Sequence, residues 1–285
     1  MRTVLIGARG QLGTDLAQVL RGDVVPLGHN EIELTEIESV RAALQAARPD
    51  VVVNTAAYNL VDRAEDEPQA AFAVNALGTR NVALVCRELE ASLLHVSSDY
   101  VFGLDSGRAA PYKEFDLPGP VSAYGLSKLT GEYFARSICP RHYVVRTCGL
   151  YGTAGSRGKG NFVETMLRLG SQRHELSVVN DQFCTPTATS ELARAIADLI
   201  PTERFGLYHA TNGGQTTWCD LAREIFRLSG LDVKVLPISS ATFGAKARRP
   251  PYSVLDCSLL AETIGWELPD WTGALAGYLA QRQAS

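Results

Sequence analysis

The chain has 285 residues, 46% of them hydrophobic and 20% charged, an ordinary globular composition that excludes a disordered or fibrous protein and is long enough to bury a core without covalent staples. Its 27 basic and 31 acidic residues leave a net charge of −4, which argues against nucleic acid as a partner, although Lys246, Arg248 and Arg249 form a local basic cluster suited to phosphate. The six cysteines are scattered without metal-ligand spacing, no apolar run approaches the ~18 residues of a membrane span, and the first strand leaves no room for a signal peptide, so a cytoplasmic protein with reduced thiols and no membrane association is expected.

Short apolar runs alternate with helical patterns through the first half. Residues 3–7 (TVLIG) read as a buried strand, 11–21 as a helix, and 24–27 as a second strand. A helix over 36–47 stops before Pro49, and a third strand covers 50–57 (DVVVNTAA). One long amphipathic helix is predicted over 68–90, then a fourth strand over 93–98 (LLHVSS), a helix over 122–137 and a strand over 143–146. This alternation predicts a doubly wound parallel sheet covered by helices on both faces. After about Tyr151 the pattern loosens. Helices are predicted over 161–171, 190–200, 217–228 and 271–281, with a strand over 176–180, and the region reads as a smaller C-terminal α/β lobe closing over a substrate. The expected division is a nucleotide-binding unit over 1–150, to which later segments return, and a mainly substrate-binding unit over 151–285.

Gly7, Gly10 and Gly13 lie in the stretch GARGQLG, directly between the first strand and the first helix. Gly7 permits the tight turn. Gly10 lets backbone approach a pyrophosphate, which then meets free N–H groups and the positive end of a helix. This placement makes the sheet a Rossmann type and predicts NADPH or NADH as cofactor. No acid ends the second strand, which reads Leu27-Gly28-His29-Asn30, so Arg9 is expected to pair with the 2′-phosphate of NADPH.

Tyr124 and Lys128 are four residues apart on a predicted helix and share a face. A free phenol titrates near ~10, and a neighbouring ammonium is expected to lower that value so that Tyr124 works as an acid–base group. Ser98 ends the fourth strand at the edge where open sheets bind ligands, and its hydroxyl can bond the same substrate oxygen. Strand-end Ser, helical Tyr and Lys together point to hydride transfer to a carbonyl with proton donation from Tyr124. His95 and His209 read as packed structural residues.

With these residues in place the chain resembles the dTDP-4-dehydrorhamnose reductase family of extended short-chain dehydrogenase/reductases. The similarity runs through GARGQLG at 7–13, PDVVVNTAAYNLVDRAEDEP at 49–68, SSDYVFG at 97–103, YGLSKLTGE at 124–132, RTCGLYG at 146–152, DQFCTPT at 181–187 and RPPYSVLD at 249–256. The resemblance implies reduction of the 4-keto group of a dTDP-6-deoxyhexose to give dTDP-rhamnose. It makes Tyr124 the proton donor, Lys128 its partner, and Ser98 the counterpart of a usual Thr. It puts Gly7, Gly10, Gln11, Leu12, Gly13, Glu33, Leu34, Ala56, Ala57 and Tyr58 at the cofactor. It puts Asp62, Asp99 and Tyr100 near the sugar, and Asn161, Phe162 and Arg249 are candidates for nucleotide-sugar contact. Gly149 stands where the family has a Trp, and Cys184 where a Gly is frequent. Of the carboxylates through which some members use magnesium only Asp15 is matched, so no metal is expected. An epimerase, dehydratase or other reductase of the extended short-chain dehydrogenase type acting on another nucleotide sugar, and a non-catalytic subunit resembling the regulatory subunit of methionine adenosyltransferase, are the alternatives. A homodimer is left open.

Overall fold

The computed structural model describes residues 1–154 and 160–283. Its elements begin β1 (Arg2–Ile6), α1 (Gln11–Val19), β2 (Asp23–Leu27), α2 (Ile37–Ala47), β3 (Val51–Asn54), α3 (Pro68–Phe72), α4 (Thr79–Glu88), β4 (Ser92–Ser98), α5 (Ala123–Ile138) and β5 (His142–Thr147). They continue with β6 (Leu150–Tyr151), α6 (Phe162–Gly170), β7 (Glu175–Val179), β8 (Phe183–Cys184), β9 (Thr187–Ala188), α7 (Thr189–Leu199), β10 (Gly206–His209), β11 (Thr216–Thr217), α8 (Trp218–Ser229), β12 (Lys234–Ile238), α9 (Ser240–Phe243), α10 (Ser258–Ile264) and α11 (Trp271–Gln283).

Six strands form one parallel sheet in the order β10-β5-β4-β3-β1-β2. Its inner strands are apolar on both sides, as burial under two helical layers demands: Val4, Leu5, Ile6, Val52, Val53, Leu93 and Leu94 are all buried. One apolar cluster joins Leu5 and Val53 to Leu16 of α1 and Ile196 of α7. The other joins Val4 and Val52 to Leu44 of α2, Val82 of α4 and Ala135 of α5. The strand order reverses between β1 and β3, so the crevice for a ligand lies outside the carboxyl ends of those two strands.

Two elements after residue 151 return to this layer. β10 extends the sheet beside β5, and α7 packs on α1. The remainder forms a smaller cluster in which Val163, Leu176, Ile225, Val235 and Leu275 bring α6, β7, α8, β12 and α11 together. The sequence does not signal β12, which among the described residues pairs with β7 alone and carries Pro237, a residue tolerated on such an edge.

The helix predicted over 68–90 is interrupted. α3 passes into a π-helical stretch, Ala73–Gly78, before α4 begins. The wide turn presents Asn75, whose side chain accepts from Tyr58 N at 2.9 Å and donates to Tyr58 O at 3.0 Å and to Ser127 Oγ at 3.0 Å. The strand predicted to reach Ala57 stops at Asn54, because the Asn54 carboxamide accepts from Ala56 N at 3.1 Å and turns the chain.

α5 packs against the π-helical stretch at Gly131, where a Cβ would lie 2.2 Å from Asn75 O. Gly131→Ala, normally worth up to about 1 kcal/mol to a helix, is therefore expected to destabilise by about 1–3 kcal/mol and to lower Tm by several degrees. Gly277→Ala in α11, where nothing lies within 4 Å of the new Cβ, is expected to raise Tm slightly. Thermal unfolding of the two variants side by side checks the sign reversal.

Candidate active site

The nucleotide loop is built by sterics. Gly7 has φ +81°, and its N–H and that of Ala8 donate to Leu27 O at 2.9 and 3.3 Å, which presses the loop onto the end of β2. A Cβ on Gly13 would lie 2.2 Å from Gly7 O, so only glycine lets α1 start this close to β1. Gly10 is the N-cap of α1 and contributes no side-chain acceptor, leaving the first-turn N–H groups without a side-chain cap. These features fit a dinucleotide pyrophosphate. Leu12 is buried beneath the loop.

Other expected cofactor residues divide. Ala56, Ala57 and Tyr58 follow β3 in the same crevice, their loop tied down by Asn75. The Gln11 side chain instead accepts from Gly152 N at 3.1 Å and from Asn161 Nδ2 at 2.8 Å, joining the nucleotide loop to the smaller lobe. The Glu33 carboxylate accepts from the Thr35 N–H and hydroxyl, which hold it below the usual carboxylate range, and Leu34 is buried against Gly78. Arg9 is exposed, and its Nη2 donates to Glu31 Oε1 at 3.1 Å. Glu31 was not singled out in the sequence because it lies beyond the strand end, yet its Oε2 accepts from Gly28 N at 2.7 Å and so returns a carboxylate to that end.

Ser98 closes β4 and accepts from Tyr100 N at 3.2 Å, capping the 3-10 turn Asp99–Val101. α5 starts at Ser122, whose hydroxyl accepts from Gly125 N at 3.1 Å. A Cβ at Gly125 would lie 2.2 Å from Tyr100 O, so this glycine lets the first turn of α5 sit against the end of β4. Tyr124 thereby comes beside the Ser98 hydroxyl, with the Tyr100 ring edge-on at 5.7 Å. One turn later Lys128 is fully buried, its Nζ donating to Val96 O at 2.8 Å and lying 3.5 Å from His95 Nε2.

The electrostatics correct one expectation. Burial, with a further contribution from Asp99, pushes Tyr124 up to about 12 against the pull of Ser98, rather than down. Lys128 does not lower it because the ammonium is turned to β4, and burial depresses Lys128 itself to about 8, opposed by Glu132. Asp99 is buried against the hydroxyls of Ser98 and Ser253, at 3.1 and 2.6 Å, and its carboxyl is raised by burial. Ser253 and Glu132 were not singled out in the sequence, since only folding brings them to this site.

Of the expected sugar-side residues, Ser98, Asp99, Tyr100, Asp62 and Arg249 converge. Arg249 donates through Nη1 and Nη2 to Asp62 at 3.0 and 2.7 Å and also lies beside Tyr100, while Lys246 pairs with Asp66. Asn161 and Phe162, at the start of α6, make other contacts. Asn161 caps α6 through Glu164 N and bonds Gln11, and the Phe162 ring packs on Trp218 at 4.8 Å. Gly149 has φ +55°, and a Cβ there would meet Pro186 Cα at 3.2 Å and Trp218 Cη2 at 3.4 Å, so Pro186 and Trp218 crowd the position of the absent side chain. Cys184 is buried beside Cys148. Asp15 accepts from Thr189 Oγ1 at 2.5 Å, and among the described residues no cluster of three metal-binding side chains occurs.

The RmlD substrate binding domain family matches residues 1–284. A dTDP-4-dehydrorhamnose reductase of Streptomyces griseus is 43% identical over 96% of this chain and 91% of its own length. A dTDP-4-keto-6-deoxy-D-glucose reductase of Streptomyces niveus is 39% identical over 96% of this chain and 95% of its own. The crystal structure of dTDP-4-dehydrorhamnose reductase from Bacillus anthracis in complex with NADP is 38% identical, covers 98% of this chain and 99% of that one, and superposes with a TM-score of 0.93. From its glycine cradle to its last helix, the chain belongs to the dTDP-4-dehydrorhamnose reductase family.

Proposed function

We propose that this chain reduces the 4-keto group of dTDP-4-dehydro-L-rhamnose to give dTDP-L-rhamnose, with NADPH or NADH. The observation that carries the reading is the meeting of Ser98, Tyr124 and Lys128 at the carboxyl end of β4, beside a glycine loop whose backbone a Cβ would obstruct. Relatives named for reduction of dTDP-bound 4-keto sugars support the substrate class, and the NADP complex of the Bacillus anthracis enzyme supports the cofactor.

In this mechanism the uncapped start of α1 holds the pyrophosphate, and Ala56, Ala57 and Tyr58 line the same crevice. The bound dinucleotide supplies the hydride. Ser98 Oγ and Tyr124 Oη both donate to the sugar O4, and Tyr124 passes its proton to that oxygen as the carbon is reduced. A phenol held near 12 arrives protonated across the neutral range, as a donor must. Lys128, anchored on Val96 O, holds the nicotinamide ribose by hydrogen bonding rather than charging the phenol. Arg249 leaves Asp62 and forks onto phosphate oxygens of the nucleotide sugar, while Phe162 and Trp218 form an aromatic wall for the base. Residues 151–285 contribute mainly to the substrate side. No described helix is long and apolar enough to cross a membrane. A cytoplasmic location and a homodimer belong to the same proposal, the latter readable by sedimentation velocity.

With dTDP-4-dehydro-L-rhamnose, NADPH consumption by the wild type is expected, and Tyr124→Phe is expected to lose at least about 100-fold in kcat with NADPH binding retained. Binding without turnover by the wild type would sink the substrate assignment and leave the nucleotide site standing.

The pH profile has a defined sign. Lys128 is depressed to about 8, so its charge is present below that pH and lost above it, while Tyr124 keeps its proton to about 12. Reduction, read as kcat/KM, is expected to fall with a single-proton limb near pH 8. A first limb above pH 10 would assign the loss to Tyr124 instead.

A further inference from the structure

β4 carries a polar side chain in the middle of the sheet. His95 is fully buried and stands in register with Asn54 of β3 and Val144 of β5. Strands covered on both faces are normally apolar, and a buried polar atom without a partner costs stability, so an imidazole here calls for a reason. Its Nε2 lies 3.5 Å from Lys128 Nζ, while its Nδ1 is buried with no hydrogen-bond partner among the described residues. An ammonium only donates, so the ring nitrogen that faces it is the bare one and Nδ1 carries the proton. The imidazolium form is disfavoured by burial and by the Lys128 charge. Packing alone does not account for such a residue: its contact with Lys128 leaves the other nitrogen stranded.

We infer that His95 is a positioning residue, whose Nε2 joins Val96 O in fixing two of the three N–H groups of Lys128 so that the third is aimed at the nicotinamide ribose. The inference rests on the dinucleotide reading above. A lysine ammonium is a compact donor on a flexible stem, and a single acceptor leaves it free to turn. Val96 O takes one N–H at 2.8 Å, and His95 Nε2 takes a second from the adjacent residue of the same strand. The tetrahedral nitrogen then directs its last N–H away from β4. A 3.5 Å contact is at the long end for a hydrogen bond, as is common at such sites before the ligand arrives. Neutral His95 also favours the charged lysine, because an acceptor stabilises the ammonium. Glu132, on the same face of α5, acts in the same direction. Of the other charged groups on the elements around α5, Arg146 is held by Glu132, Glu65 by the Ala123 N–H and Asp99 by Ser98 and Ser253, while Arg80, Arg87 and Glu88 of α4 are exposed. Tyr124, one turn before Lys128, keeps its proton to about 12.

Calorimetric titration of the full chain with NADPH, without any sugar and from neutral pH to about pH 10, tests this. Wild type is expected to lose affinity through one proton at about 8, where the Lys128 charge is lost. His95→Gln places an amide near the Nε2 position and is expected to keep affinity within about twofold and the limb within about half a pH unit. His95→Leu removes the acceptor, and the amide of His95→Asn stops at the Nδ1 position. Each is expected to weaken NADPH by roughly 3–10-fold and to move the limb down by about one pH unit. Without the acceptor the charged lysine is less favoured and gives up its proton at lower pH. The Gln and Asn variants both stay polar without overfilling the site, so their comparison carries the test should His95→Leu not fold. If both match wild type within about twofold with the limb unmoved, His95 is packing alone and the inference is overturned while the reductase reading stands. If both lose affinity alike with the limb unmoved, the loss is structural and the inference is equally overturned. If wild type does not bind NADPH, the reductase reading falls and this inference with it.

Discussion

The site depends on one buried ion pair. Arg146 of β5 donates through Nε and Nη2 to the two carboxylate oxygens of Glu132 on α5, at 2.9 and 2.7 Å, with both side chains at 1% exposure or less. Ser97 of β4 completes the carboxylate at 2.6 Å, the Arg146 guanidinium lies 5.1 Å over the Phe102 ring, and His209 of β10 stands 3.4 Å from Nη1. Burying two charges is expensive, and removing one partner from such a pair typically costs about 3–5 kcal/mol. In return the pair fixes helix against sheet. Tyr124, Lys128 and Glu132 recur every four residues on one face of α5, and Ser97 precedes Ser98 on β4, so the register that pairs Glu132 with Ser97 also sets Tyr124 beside Ser98. The same charge opposes the depression of Lys128, which links the architecture to the protonation of the site.

The two parts of the molecule meet around this helix through polar ties. Gln11 reaches Gly152 and Asn161, and Asp62 reaches Arg249 across 187 residues of sequence. The first tie is partly buried and the second is exposed, where an ion pair is weak enough to give way to a ligand. Close backbone approach does the rest: Gly13, Gly125 and Gly131 each bring a helix to a neighbouring carbonyl closer than any Cβ would allow. Rigid packing therefore holds the reacting groups, and exchangeable ion pairs flank the entrance.

Much of this was legible in the sequence, for physical reasons. Parallel strands buried on both faces must be apolar, so β1, β3 and β4 stood out, and a glycine loop between strand and helix has few other uses. Tyr124 and Lys128 were readable because helical spacing puts them on one face. What escaped was whatever depends on contacts distant in sequence. The lowered phenol pKa expected from YxxxK spacing ignored where the Lys128 ammonium points, and α5 directs it to Val96 O. The helix cap that Asn161 forms and its bond to Gln11 were equally invisible, since Gln11 lies 150 residues away. Glu31 escaped because it follows the strand end and returns through a turn. The π-helical stretch has no periodic signature, since its reason is the bond from Asn75 to a loop 17 residues earlier.

Ser253 donates to Asp99 across 154 residues, and Arg249 lies in the same late segment. A growing chain that has just added residue 240 already carries the cradle, Ser98, Tyr124 and Lys128, but its Asp99 lacks that hydroxyl and its Asp62 lacks that cation. Contacts this distant in sequence are also the slow ones to form. The nucleotide-facing half is thus complete in sequence before the sugar-facing half exists, and the pocket closes only after synthesis is nearly over. Competence for the keto sugar is in that sense a checkpoint on full-length translation: a product truncated before residue 249 lacks part of the cleft.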